Sequence, residues 1–178
     1  MIQTEGTHCG QRCEDRLPAD CDQEKVMTDS KMECPRLSDQ LCFPLYACAK
    51  EVVRQYRKPL EGLNLTYTQY IVMMVLWEYG GMTEGQLGEK VYLESGTLAP
   101  LLKRLEKAGY INRARPENNE RKLYLSLTKE GEALKEKAKL VPGAMRGCIP
   151  LPDEELLLLR DLLNRALAGM EQLPNKGK

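Results

Sequence analysis

TEGQLGEKVYLESGTLAPLLKRLEKAGYINRARPENNERKLYLSLT, residues 83–128, decides the fold. Thr83-x-x-Gln86 is a capping-box pattern and opens a short helix to about Tyr92. A second helix runs from Ser95 to Ala108. Leu98, Leu101, Leu102 and Leu105 fall on one side of it, and Lys103, Arg104 and Lys107 mostly on another. Gly109 is a C′ stop. The period then switches. Residues 110–115 alternate weakly, PENN (116–119) forms a turn, and residues 123–127 alternate again. That is a β-hairpin with a polar, charged tip. Two short helices joined by a tight turn and followed by a hairpin make a winged helix-turn-helix, with 95–108 as the recognition helix. The expected fold class is mainly α with a small β-hairpin wing.

Outward from this unit the chain is helical. Thr66-x-x-Gln69 is another capping box. The run after it, Tyr70 to Trp77, is apolar nearly all round and therefore buried, and Gly80-Gly81 ends it. Upstream, a helical pattern starts at Ser38, with Leu41, Leu45, Cys48, Val52 and Gln55 near one face. Pro44 and Pro59 must lie near an end or at a kink. Downstream, Thr128 caps a helix through about Leu140, and Pro142-Gly143 breaks it. Pro152 and three acids, Asp153 to Glu155, start a last helix with Leu156, Leu159, Leu163, Ala166, Leu167 and Met170 on its apolar face. Residues 1–36 have no aromatics and no periodicity and read as a disordered extension, with Met27 or Met32 as a candidate natural start. The rest divides into a domain over 37–173, with its DNA-reading part at about 66–127, and a tail at 174–178. There is no internal repeat.

The chain has 178 residues, 26 Lys+Arg, 26 Asp+Glu and one His. Its hydrophobic share of 42% suffices for a core. The longest apolar run, Ile71 to Trp77, is far below the roughly 20 residues needed to cross a bilayer. The N-terminus lacks the apolar stretch of a signal peptide. These features point to a cytoplasmic protein that does not enter the membrane. One His excludes a multi-His metal site and argues against Ser-His-Asp chemistry. No metal or cofactor is expected. The net charge of zero conceals one basic block. Residues 95–127 hold Lys103, Arg104, Lys107, Arg113, Arg115, Arg121 and Lys122 against three acids, net +4.

That block lies on the DNA-reading unit. Ser95 and Thr97 suit phosphates or base edges, and Gly96 lets backbone approach backbone. Lys103, Arg104 and Lys107 suit phosphate neutralisation. Arg113 and Arg115 on the first wing strand, and Arg121 near the tip, suit phosphate or an A·T-rich minor groove. Basic helix faces are common as solvated surfaces. The order helix, turn, helix, hairpin, with the charge confined to its second half, is what favours DNA.

From about Ser38 to Leu167 the chain resembles the MarR family of winged-helix repressors, most closely its organic-hydroperoxide-sensing branch. The resemblance is carried by QLCFP (40–44), LTYTQY (65–70), LWE (76–78), LESGTLAPLLKRLE (93–106), NER (119–121), LSLT (125–128) and VPG (141–143). Pro100 enters the expected DNA-binding set through this recognition-helix motif. One departure is Asn119, where the family usually has Asp. The resemblance implies a homodimer on a pseudo-palindromic operator. Its dimerisation helices would be those at about 38–61 and 128–173.

Cys42 stands in the early turns of a helix just before Pro44, and a helix N-terminus favours the thiolate. An inert, buried cysteine is the bland reading. The resemblance implies that Cys42 is the peroxide-reactive thiol, with Tyr56 and Tyr67 as its tyrosine partners. Tyr56 lies 14 residues further on. A continuous helix would separate the two by about 21 Å of rise. A contact between them must therefore come from the partner subunit of an antiparallel helix pair. Tyr46, one turn from Cys42, is the partner reachable within one chain. Cys48 lies about 9 Å of rise from Cys42, beyond the roughly 7 Å that a disulfide spans. Cys148 follows Pro142-Gly143 in an expected loop. The two-cysteine members of the branch carry their resolving thiol in this region, which implies an intersubunit Cys42–Cys148 disulfide. Cys9, Cys13, Cys21 and Cys34 contain no C-x-x-C pair and give little support to a zinc clip.

The expected function is a repressor released from operator DNA when an organic hydroperoxide, entering a pocket lined by Phe43, Tyr46 and Trp77, oxidises Cys42. Two alternatives stand beside it. One is a repressor released by a non-covalent ligand such as a phenolic compound. The other, a thiol peroxidase using Cys42 as nucleophile, leaves the winged-helix segment without a purpose. The expectation is therefore a regulator and not an enzyme.

Overall fold

The structure, a computed structural model, describes residues 36–115 and 122–172. The extension expected before Arg36, the wing turn at 116–119, Arg121 and the tail from residue 174 lie outside these. The chain divides into two compact units, Met1–Asp39 and Gln40–Lys178. Of the first, the described part holds a single 3-10 turn at Leu37–Asp39.

The second unit is built in the order α1 (Cys42–Gln55), α2 (Arg57–Glu61), α3 (Tyr67–Tyr79), β1 (Met82–Thr83), α4 (Glu84–Val91), α5 (Ser95–Lys107), β2 (Ile111–Ala114), β3 (Tyr124–Leu127), α6 (Lys129–Ala138), α7 (Val141–Ala144) and α8 (Asp153–Glu171). The three strands pair antiparallel in the order β1-β3-β2.

Local signals account for most element ends. Both expected capping boxes are formed. Thr66 Oγ1 accepts from the Gln69 amide while Gln69 Oε1 accepts from the Thr66 amide, and Thr83 and Gln86 repeat the exchange. Each box satisfies two amide donors that the first turn of a helix leaves open. Thr128 caps α6 by accepting from the Gly131 amide.

Three departures from the sequence reading have physical causes. The first helix starts at Cys42 and not Ser38, and it breaks at Tyr56. Pro59 has no N–H to offer the carbonyl of Gln55, so the α-helical ladder stops there and α2 restarts it. Pro142 cannot bond the Ala138 carbonyl, where α6 ends, but in place of the expected loop it then sits in the first turn of a further short helix, α7. A third strand, Met82–Thr83, pairs with Leu125 and Tyr124 of β3. At two residues it is too short to show any periodicity.

The core is one cluster. Leu98, Leu101, Leu102 and Leu105 of α5 pack with Val72, Met73 and Leu76 of α3, Leu87 of α4, Ile111 and Leu125 of the sheet and Leu134 of α6. Each fully buried leucine contributes about 1.5–3 kcal/mol. In contrast, α1 and α8 bury no residue at all. Leu41, Phe43, Leu45 and Tyr46 on or beside α1, and Leu157, Leu158, Leu162, Leu163, Leu167 and Met170 on α8, are exposed.

The corner after α5 and the end of α3 are both tied to the start of α6. Thr128 Oγ1 donates to the Gly109 carbonyl at 2.6 Å, and the Trp77 indole N–H of α3 donates to the Gly131 carbonyl at 2.8 Å. Gly131 is buried so tightly that an added Cβ would run into the Tyr110 carbonyl. Lys135 Nζ reaches back to the Trp77 carbonyl at 3.1 Å.

Candidate nucleic-acid interface and thiol site

The apolar stripe of α5 turns Leu98, Leu101, Leu102 and Leu105 inward. The opposite face is thereby presented outward. Ser95, Gly96, Thr97, Pro100, Lys103, Arg104 and Lys107 are all exposed on it. Its N-cap is Glu94, whose side chain makes no capping bond to the first turn, where Ser95 and Thr97 stand. Pro100 has no N–H for the Gly96 carbonyl, which leaves a polar backbone group on this surface. Helix amides, hydroxyls and three cations on one convex face suit a phosphate backbone.

The turn between α4 and α5 depends on two backbone features. Tyr92 closes α4 in the left-handed conformation, at φ 55° and ψ 40°. Gly88 lies where a Cβ would meet the Leu93 carbonyl at 2.9 Å, so only glycine lets the two helices close up there. The wing follows α5 after only Ala108, Gly109 and Tyr110. Of the wing residues expected to face DNA, Arg115 is exposed, while Arg113 is half-buried and paired with Glu106.

The thiol site is divided between two places in one chain. Cys42 is exposed at the first position of α1. Phe43 and Tyr46 are exposed near it. Trp77, expected on the same pocket wall, is half-buried against the core and hydrogen-bonded to Gly131.

At the other end of α1, Tyr56 and Tyr67 lie with ring centroids 4.7 Å apart, and Tyr70 lies 6.0 Å from Tyr56. Cys148 is half-buried beside them. Its carbonyl accepts from Gln55 Nε2 at 3.2 Å, which ties the loop before α8 to the end of α1. Burial first, then Tyr67, Tyr70 and Cys148, raise the Tyr56 hydroxyl above the ordinary tyrosine range. Burial and Tyr67 do the same to Tyr70. These phenols stay protonated and remain donors.

The structure thus brings together Tyr56, Tyr67 and Cys148, separated by up to 92 residues in sequence. It keeps Cys42 at the opposite end of an unbroken 14-residue helix. Two residues of the cluster escaped the sequence reading. Tyr70 was readable from its i,i+3 spacing to Tyr67, which places both on one helix face. Gln55 gave no such signal, because its partner is a distant loop carbonyl. Beside the cluster a cleft of about 740 Å³ is lined by Tyr67, Leu60, Leu65, Gln69, Arg57 and Arg104, among others.

The family described as "Transcriptional regulator SarA/Rot" matches residues 54–138. The organic hydroperoxide resistance transcriptional regulator of Bacillus subtilis is 42% identical over 144 residues, covering 81% of this chain and 98% of that protein. The chain belongs to the MarR/SarA family of winged-helix transcriptional regulators. Among solved structures, reduced AbfR bound to DNA is 34% identical at a TM-score of 0.61, covering 75% of this chain and 93% of that one. That protein is from Staphylococcus epidermidis. Its disulfide form is 33% identical at a TM-score of 0.53, covering 74% and 92%. For this MarR/SarA-family chain the overoxidized, DNA-bound form of that relative gives the same TM-score, 0.61, as the reduced one. Among the described residues, no helix is long and apolar enough to cross a membrane.

Proposed function

We propose that this regulator is a cytoplasmic homodimeric repressor, released from a pseudo-palindromic operator when an organic hydroperoxide oxidises Cys42. One observation carries the reading. Tyr56, Tyr67 and Cys148 form a cluster that Cys42 cannot reach along its own straight helix, about 21 Å away by rise. Antiparallel pairing of two α1 helices would place Cys42 of each protomer at the tyrosine cluster of the other. The exposed apolar side chains of α1 and α8 supply the surface for such a pairing. The names of the Bacillus regulator and of the reduced, DNA-bound relative support the same reading.

In the reduced dimer the protonated tyrosines donate to the Cys42 thiolate. The thiolate attacks one peroxide oxygen, the O–O bond breaks, and the alkoxide leaves and takes up a proton as an alcohol. Cys42 is then a sulfenic acid, and the donor–thiolate bonds are gone. The Cys148 thiol of the partner attacks the Cys42 sulfur. An S–S bond forms, the S–OH bond breaks and water leaves. Closing that bond pulls the loop before α8 toward α1 across the dyad. Recognition helices must match half-sites about 34 Å apart, so a modest rotation suffices to release DNA.

Non-reducing electrophoresis tests the pairing. After treatment with cumene hydroperoxide the protein runs as a covalent dimer, and Cys148→Ser abolishes that band. A dimer that persists in the variant rejects Cys148 as the resolving thiol.

The cleft lined by Tyr67, Arg57 and Arg104 favours one second reading, release by a phenolic or carboxylate ligand without oxidation. A Cys42→Ser protein that still releases DNA with such a ligand would establish it.

A further inference from the structure

The recognition helix and the wing meet at a corner of three residues, Ala108, Gly109 and Tyr110. Gly109 has φ +78° there, and no neighbouring atom lies within 4 Å of where a Cβ would stand. Two backbone bonds close the corner, from Gly109 to the Glu106 carbonyl and from Tyr110 to the Leu105 carbonyl. Both lie on the helix side; on the wing side the Thr128 amide donates to the Tyr110 carbonyl and Thr128 Oγ1 to the Gly109 carbonyl.

Among the described residues, one side-chain ion pair joins α5 to β2 across this corner. Arg113 Nη1 donates to Glu106 Oε2 at 3.1 Å. Glu106 stands in the last turn of α5 and Arg113 is the third residue of β2. The Arg113 side chain is only 17% exposed. Its Nε is fully buried and finds no acceptor among the described residues. The guanidinium is therefore turned back against the helix. Opposite it in the sheet register lies the fully buried Leu125. To reach a phosphate, Arg113 would have to leave this seat and abandon a carboxylate facing the DNA.

We propose that Glu106 and Arg113 form a brace that sets the angle between the recognition helix and the wing, so that Arg113 is a positioning residue and not a phosphate contact. This rests on the DNA-binding reading. Lys103, Arg104, Lys107 and Arg115 then carry the charge of the described interface.

The two roles predict opposite signs for the loss of Glu106. If Arg113 met a phosphate, removing the competing carboxylate would free it and tighten binding. If the pair is a brace, removing either partner loosens the wing and weakens binding. The test uses the full-length reduced protein and a duplex that the wild type selects from a random-sequence pool. Affinity is measured between 50 and about 300 mM salt. Wild-type binding that fails or ignores salt refutes the DNA-binding reading itself, separately from the brace.

With that established, Glu106→Ala and Arg113→Ala should each weaken binding about fivefold, and the double variant should be no weaker than either single. The slope of log affinity against log salt should not change. The exchanged pair, Glu106→Arg with Arg113→Glu, should recover part of the loss, which a folding defect in the alanine variants cannot imitate. The brace is overturned by tighter binding of Glu106→Ala, by unchanged affinity in both variants, or by a slope reduced by about 0.9 in Arg113→Ala.

Discussion

Cys42 is an exposed thiol with Tyr46 one turn away on the same helix. Its chemistry under the proposed function depends on the oxygen-accepting sulfur and not on its size, because serine is nearly isosteric. Cys42→Ser should therefore bind operator DNA as tightly as the wild type and resist release by hydroperoxide in a gel shift. Release by peroxide in that variant would remove Cys42 as the sensor. The tyrosines offer an independent reading of the other half of the site. Burial and the neighbouring phenols raise Tyr56 and Tyr70 above their unfolded values, near 10. The folded state thus holds these protons more tightly. That contribution to stability is complete below about pH 10 and is lost as pH rises through the raised values. Absorbance titration at the phenolate band should show late-titrating tyrosines, and Tyr56→Phe and Tyr70→Phe should each reduce that late step. A tyrosine spectrum titrating as free tyrosine would contradict the cluster.

Gly131 shows how an element depends on one missing methyl. A Cβ there would meet the Tyr110 carbonyl, which is backbone and cannot rotate away. Gly131→Ala should cost about 1–3 kcal/mol, lowering Tm by about 2–4 °C per kcal/mol. An unchanged melting temperature would show that α6 can slide relative to the wing. At this scale much of the fold was legible. The capping boxes at Thr66 and Thr83, the leucine face of α5 and the two wing strands all stand where local pattern placed them, because each is encoded within a few residues. What escaped is non-local or context-dependent. Strand β1 exists only because β3 lies beside it. Pro59 marks an end or a kink in the sequence, but the place of the break, at Tyr56, follows from the Gln55 carbonyl that it cannot bond. The thiol site was legible in its parts and not in its arrangement. The spacing from Cys42 to Tyr56 ruled out contact within one chain, but nothing local shows that Cys148 returns to Tyr56.

At the scale of the whole molecule the two helices without buried residues are the main fact. A monomer that leaves α1 and α8 bare exposes the leucines, Phe43 and Met170 of these helices to water. An antiparallel α1 pair that brings Cys42 to the partner's Tyr56 has its midpoint at residue 49. Fourteen residues at about 100° each return Tyr56 to within about 40° of the Cys42 face, so Ala49 is near the crossing as well as halfway. A small side chain there allows close approach. Ala49→Glu puts a carboxylate at that crossing and should shift the protein toward monomer by sedimentation. A fully dimeric variant would exclude an α1 crossing at this point. Trp77, the sole tryptophan in the chain, lies between the tyrosine cluster and the root of the wing. Its ring lies 6.3 Å from Tyr70 of the tyrosine cluster, and its N–H is spent on the Gly131 carbonyl beside the root of the wing. Under the proposed function the protein therefore carries its own fluorophore at the joint between sensing and reading. Its emission reports that joint directly, with no dye attached and no competing indole to subtract.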